Sequence, residues 1–398
     1  MVWTRGVRQD SVGQDKTARR SLPIRVAGVV IGVIVLGLAL WSRAPQVAAF
    51  LAAAGLRRAS VAADIPHPRV RAEDWGSLPS LPSEPSSQLN SAALVCYHPE
   101  YQAYNPAKVD KALRKAAELG AGWLRTDVRW SELMPDGQHV NPQALDWYQR
   151  FLPRCKAHGF RNLLVVSWPS DVVLKYPVDQ RLEAWSTFVE TVVRELGEFC
   201  DGYQLMNEPN NPVFGFFPDA DTPGAIAGAA ATIKSHYPKA YVLVNICMEI
   251  WGWRPYLTDL LFRSGRAIDI IGLDHYPGTW TIGPPERWAD LFEIYDLINS
   301  SSPSSIWFDR KLAILETGFS TNAWLRGESA QEAYFSDLEQ VARRLRSVKD
   351  APLIGIYELS DWDSTALLDP EAHFGLLKTD LEPKSAFSKA QELLTSLQ

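Results

Sequence analysis

Two glutamates stand directly after short apolar runs, in Tyr203-Gln204-Leu205-Met206-Asn207-Glu208-Pro209 and in Leu312-Ala313-Ile314-Leu315-Glu316-Thr317-Gly318. A carboxylate beside a buried strand is costly unless it has partners or a task. Two of them facing one cleft have a task within reach. One protonates a departing oxygen while the other attacks the carbon it leaves, which is the chemistry that breaks a glycosidic bond. Either glutamate alone reads equally well as an ion-pair partner at a helix entrance; the two together favour chemistry. His98, Glu132 and Asp171 follow other apolar runs as candidate hydroxyl binders, and Glu249 and Asp274 are further polar groups of the same kind. No His/Asp constellation has metal-ligand spacing, so neither a metal nor another cofactor is expected.

Something must bring these residues to one place. From about residue 92 the chain alternates short apolar runs with amphipathic segments. The runs are Ala93–Tyr97, Trp123–Val128, Asn162–Ser167, Tyr203–Met206, Tyr241–Ile246, Ile268–Leu273, Leu312–Leu315 and Ile354–Leu359. Between them, Asn105-Pro106, Asn141-Pro142 and Thr222-Pro223 pair a capping residue with a proline suited to the first helical turn. Gly120, Gly159, Gly197 and Gly265 fall where helices should stop. Eight strand–helix units over about 300 residues predict an α/β fold, a (β/α)8 TIM barrel, whose functional groups gather at the C-terminal ends of the strands. An open doubly wound sheet is the alternative, but no Gly-rich dinucleotide fingerprint follows the first strand.

With Asn207-Glu208-Pro209 ending the fourth run and Glu316 ending the seventh, residues 92 to 395 resemble glycoside hydrolase clan A, the retaining (β/α)8 glycosidases. The resemblance implies Glu208 as acid/base, Glu316 as nucleophile and Asn207 as the residue that binds the sugar 2-hydroxyl. It matches Arg125 to the strand 2 arginine that supports the nucleophile, although Arg125 also reads as a structural partner of Asp127. His275-Tyr276 matches the place where the clan has a His or Tyr near the nucleophile, with Tyr276 preferred. Strand 8 departs from the pattern. Many members end it with a Trp; here Leu359 aligns with that position and Trp362 follows three residues on. His373-Phe374-Gly375-Leu376-Leu377 and Glu382-Pro383-Lys384 resemble the last turn of family 39-like bacterial members, some of which act on exopolysaccharides. A non-catalytic polysaccharide-binding barrel and a transglycosylase with the same two carboxylates stay open.

The 398 residues include 15 Trp, as many as Phe. Flat indole faces suit sugar rings, while core filling accounts for a share of them. Trp130, Trp168, Trp251, Trp253, Trp280 and Trp324, each just after a run, are the candidate platforms, with Trp362 from the last loop. The formal charge of −6 argues against nucleic acid as a partner. Four cysteines are too few for a disulfide scaffold. Cys155 and Cys200, at the bottoms of adjacent units, form the one pair whose expected positions would allow a bond.

The first 91 residues read differently. Val26 to Trp41 is an uncharged 16-residue apolar run, and six basic residues precede it between Arg5 and Arg25. That bias predicts a single-pass anchor with its N-terminus in the cytoplasm. The expected division is a basic tail over 1–23, a transmembrane signal-anchor over 24–42, an extracytoplasmic linker over 43–91 and a catalytic barrel over 92–398. Pro66, Pro68, Pro79, Pro82 and Pro85 make the linker a stiff spacer. Gly28 and Gly32 would allow weak helix pairing. Cleavage near Val61-Ala62-Ala63, giving a secreted protein, is the competing expectation.

Overall fold

Each of the eight apolar runs becomes a strand, and all eight pair in parallel and in sequence order to close a barrel. The computed structural model describes residues 90–99, 105–280, 289–322, 327–346, 353–366 and 369–397. The strands are β1 (Asn90–Cys96), β2 (Ala121–Arg129), β3 (Arg161–Ser167), β4 (Gly202–Leu205), β5 (Tyr241–Cys247), β6 (Ile270–Asp274), β7 (Lys311–Thr317) and β8 (Leu353–Ile356). The helices around them are α1 (Pro106–Glu118), α2 (Trp130–Leu133), α3 (Pro142–Ala157), α4 (Asp171–Leu174), α5 (Val178–Leu196), α6 (Thr222–His236), α7 (Trp253–Ser264), α8 (Ala289–Asn299), α9 (Gly327–Arg346) and α10 (Ala386–Ser396). Asn105 and Asn141 cap α1 and α3 through their side chains, on Lys108 N and Gln143 N. At α6 the expected cap moves by one residue: Asp221 is the N-cap and Thr222 is already helical.

The strands are apolar on both faces because both faces are covered. Residues such as Leu124, Leu164, Val166, Val244, Leu273 and Ile314 point outward into a continuous layer against the helices. Leu94, Trp123, Leu163, Leu243, Ala313 and Leu315 point inward and fill the barrel. Toward the C-terminal mouth this inner column changes character, with Arg125, Gln204, Asn245 and Asp274 all buried. The barrel is therefore closed below by hydrocarbon and floored above by a polar layer on which the site rests.

The expectations for residues 1–23 and 24–42, including the Gly28/Gly32 pairing, and for the linker up to residue 89 lie outside the described residues, while Asn90 and Ser91, expected to end the linker, already belong to β1. Among the described residues no helix is long and apolar enough to cross a membrane. Cys155 and Cys200 are not bonded to each other: both thiols are free, Cys155 buried on α3 and Cys200 turned to the Leu196 carbonyl.

Candidate active site

Glu208 reaches the mouth because the chain leaves β4 in an unusual path. Met206 and Glu208 both take positive φ, 64° and 43°, and Trp168 at the end of β3 does the same at 65°. Left-handed backbone at non-glycine residues costs on the order of 1–3 kcal/mol each and gathers where function fixes it. The turn is pinned on both sides. Asn207 N donates to Ser167 Oγ at 3.1 Å, and Glu208 N donates to Asn245 Oδ1 at 2.8 Å.

Glu316 reaches the same mouth by a different device. Simple alternation along β7 would put Ala313 and Leu315 inside and Glu316 outside. The pairing register slips between Ile314 and Thr317 against β8, and between Leu273 and Asp274 against β6. The irregularity turns Glu316 inward. Room for it comes from glycine: a Cβ on Gly272 would strike the Leu315 side chain, and one on Gly355 would strike the Leu315 carbonyl. These two glycines carry no signal in the linear pattern, yet they permit the re-aiming.

The two carboxylates end in contrasting surroundings. Glu316 lies 2.5 Å from the Arg125 guanidinium and accepts a hydrogen bond from the Tyr276 hydroxyl. Glu208 has no cation within ion-pair distance among the described residues; its Oε2 accepts from Asn211 Nδ2 at 2.7 Å. Burial, with Glu316 nearby, pushes the Glu208 carboxyl up to about 8. One oxygen of each, together with one of Asp274, lie within 4.8 Å of one another. That trio is also the group with metal-like spacing among the described residues. Each of the three carboxyls already has a protein donor: Arg125 on Glu316, Asn211 on Glu208 and Asn245 on Asp274.

Arg125 thus faces Glu316 rather than pairing with Asp127. Its guanidinium also donates to Gln204 Oε1 at 2.7 Å and to Asn207 Oδ1 at 3.0 Å. Asn207 Oδ1 collects further bonds from Gln204 Nε2 and Asn245 Nδ2, so three donors converge on it. This fixes the amide orientation and leaves Asn207 Nδ2 as the group able to donate elsewhere. Of the two β6 candidates, Tyr276 holds Glu316, whereas His275 turns to Glu249 Oε1 at 2.8 Å. Glu249 also takes the Tyr276 N–H at 2.7 Å, so this β5 loop acid anchors the tyrosine.

The tryptophans divide. Trp168 stands at the β3 end against Phe214, ring centroids 5.3 Å apart, and Trp280 packs by the mouth against Phe374 at 6.1 Å. Trp362 is half exposed, its Nε1 donating to the Glu371 carbonyl. Trp251 is fully exposed in the β5 loop, and Trp324 lies outside the described residues. Trp130 is not a platform: it is completely buried behind the strands, stacked on Phe188 at 5.2 Å and packed against Trp185 and Phe216. The short helix α2 turns it into the helix layer, and Trp253 is likewise buried. Trp130→Ala is expected to cost about 3–5 kcal/mol of folding stability in chemical unfolding while leaving the KM of the folded protein unchanged.

The reading of strand 8 also needs correction. The strand stops at Ile356, so the aromatic at its end is Tyr357, and Leu359 lies in the outer core. Tyr357 packs edge-on against Tyr276 and Phe374 at 5.9 and 5.4 Å. Beside it, Glu358 is buried and accepts from His98 Nδ1 at 3.2 Å. Burial pushes its carboxyl up to about 7. Asn211, Gln204, Asn245, Tyr357 and Glu358 were not singled out by sequence; each is an ordinary residue type until the barrel closes.

No family model matches the chain. It is 20% identical to a family 39 glycoside hydrolase from Bacteroides cellulosilyticus WH2, covering 76% of this chain and 63% of that one, with a TM-score of 0.57. It is 16% identical to the exo-β-1,4-mannosidase Op5Man5 from Opitutaceae bacterium strain TAV5, covering 77% and 62%, with a TM-score of 0.59. The fold is that of the clan A glycoside hydrolases. In sequence, a β-glucosidase from Agrobacterium sp. (strain ATCC 21400) is 26% identical over 141 residues, 34% of this chain. The match spans 29% of that relative's length, less than a third. On this barrel, Glu208 follows β4 and Glu316 lies near the end of β7, with an oxygen of each within 4.8 Å of the other.

Proposed function

We propose that the chain is a retaining β-glycosidase working by double displacement, with Glu316 as nucleophile and Glu208 as acid/base. The observation that carries this is the opposed settings of two carboxylates whose oxygens come within 4.8 Å. Carboxyl groups about 5–5.5 Å apart suit direct attack, whereas about 6.5–9.5 Å is needed to admit a water for inversion. Glu316, beside a guanidinium, attacks the anomeric carbon as the anion. Glu208, kept protonated by burial and by Glu316, delivers its proton to the leaving oxygen, then takes one from the water that releases the sugar. Asn207 Nδ2 is placed to donate to a ring hydroxyl, a bond that strengthens as charge develops. The substrate is a β-linked oligosaccharide or polysaccharide, with Trp168, Trp280 and Trp362 as stacking surfaces around the mouth.

The N-terminal segment extends the proposal: residues 24–42 anchor the barrel outside the cytoplasm, and the proline-rich linker holds it off the membrane toward cell-surface or exopolysaccharide glycan. Protease accessibility of the barrel in intact cells tests that placement, and protection of the barrel would exclude it.

A 2-fluoro-2-deoxy glycoside with an activated leaving group tests the mechanism. Turnover should stall with the glycosyl mass on the peptide carrying Glu316. A polysaccharide-binding barrel forms no adduct, and an inverting enzyme forms none either. A pH profile adds a second constraint. The acid must be protonated to work, and its pKa lies above the ordinary carboxylate value, so kcat/KM is expected to hold through neutral pH and fall above about 8.

A further inference from the structure

Asp274 ends β6 inside the barrel and is completely buried. Its Oδ2 accepts from Asn245 Nδ2 at 2.5 Å, while Oδ1 is buried without a hydrogen-bond partner among the described residues. One of its oxygens lies within 4.8 Å of an oxygen of Glu208 and of one of Glu316. No cation stands within ion-pair distance of it among the described residues, because the Arg125 guanidinium is spent on Glu316, Gln204 and Asn207. The titratable groups that face it are Glu316 from β7, Glu208 after β4, Arg125 from β2, Tyr276 after β6, and the Cys96 and Cys247 thiols from β1 and β5.

An ionised Asp274 would add a second negative charge beside Glu316 in a buried layer whose nearby guanidinium, that of Arg125, is already paired. Burying a charge without a counter-charge costs far more than keeping the proton. We propose that Asp274 is a positioning residue held as the uncharged acid, its carbonyl oxygen receiving the Asn245 amide and its proton carried on Oδ1. Burial and the two glutamates push the group the same way, well above the ordinary carboxylate range. The inference rests on the acid/base and nucleophile reading of Glu208 and Glu316, and gives that pair a support. Asn245 bonds Asp274 with the same amide nitrogen that reaches Asn207 Oδ1, while its oxygen holds Glu208 N–H. A neutral Asp274 therefore fixes both working residues of the β4 turn without adding charge. In the resting site the Glu316 carboxylate and Arg125 balance, and positive charge developing on the sugar meets Glu316 undiluted.

Infrared difference spectra of the full chain, with aspartate isotopically labelled at the carboxyl carbon, read the protonation state directly. The label separates aspartate from Glu208. A protonated aspartate band should persist at neutral pH and disappear in Asp274→Asn. A wild-type spectrum with no Asp274-dependent band at neutral pH overturns the proposal. In kinetics, Asp274→Ala should lower kcat by about ten-fold or more through lost positioning, and Asp274→Asn, the shape of the neutral acid, should recover most of that loss. The alkaline limb of kcat/KM should stay in place in Asp274→Asn. If Asp274 were ionised, removing its charge would lower the Glu208 pKa, move that limb to lower pH and fail to rescue. Absence of any glycosidase turnover would remove the proposed function, while the infrared band would still decide the state of Asp274.

Discussion

Glu316→Gln should lose on the order of 10⁴-fold or more in kcat, with an unchanged circular dichroism spectrum, because the variant removes the bond-forming oxygen and nothing else in the site can replace it. The environment makes the loss specific. Arg125 at 2.5 Å and the Tyr276 hydroxyl both hold Glu316 in one orientation, and the amide left by Gln has no anionic oxygen for either partner. Glu208→Ala should behave differently, and the difference separates the roles. With a good aryl leaving group the first step needs little acid help, so a glycosyl-enzyme should form and then hydrolyse slowly for want of a base. Azide should rescue each small variant with opposite stereochemistry. In Glu208→Ala it replaces water and yields the β-glycosyl azide; in Glu316→Ala it replaces the nucleophile and yields the α-product. The same azide anomer from both, or full activity in either, would sink the assignment.

Arg125→Gln should be the most damaging single change to stability among the site residues, at about 3–5 kcal/mol, because it leaves a buried carboxylate without its counter-charge. Arg125 is 1% exposed and Glu316 6%, so water cannot make up the deficit. Catalysis should fall as well, since the same guanidinium is one of three donors that fix the Asn207 amide. Combining Arg125→Gln with Glu316→Gln should restore part of the lost stability, because the second change removes the stranded charge. Urea unfolding of the two single variants and the double variant gives the coupling directly. A single variant within about 1 kcal/mol of wild type would show that water or another group compensates Glu316, against the burial seen here.

The barrel was legible because strands covered on both faces leave continuous apolar runs, and because Asn-Pro pairs announced α1 and α3. Glu208 and Glu316 were legible because a charge directly after such a run is conspicuous. Trp130 was misread for a related reason. It too follows a strand, but one turn of helix is enough to send it to the outer layer, and no residue type marks that turn. Leu359 was misaligned because an apolar run shows where a strand can be, while hydrogen bonding decides that β8 ends at Ile356.

What the sequence determined by itself is therefore the set of elements and the chemistry at their ends: eight strands, two carboxylates and an arginine. Which way each side chain faces was decided only by the closed barrel. Glu316 points inward through a slip of register that Gly272 and Gly355 make room for, on strands that come together only when the sheet closes. The network of Gln204, Asn245 and Asp274 beneath Asn207 and Glu208 draws on three different strands. Side-chain direction inside a barrel depends on pairing between distant segments, and no local pattern in one segment encodes its partner's register.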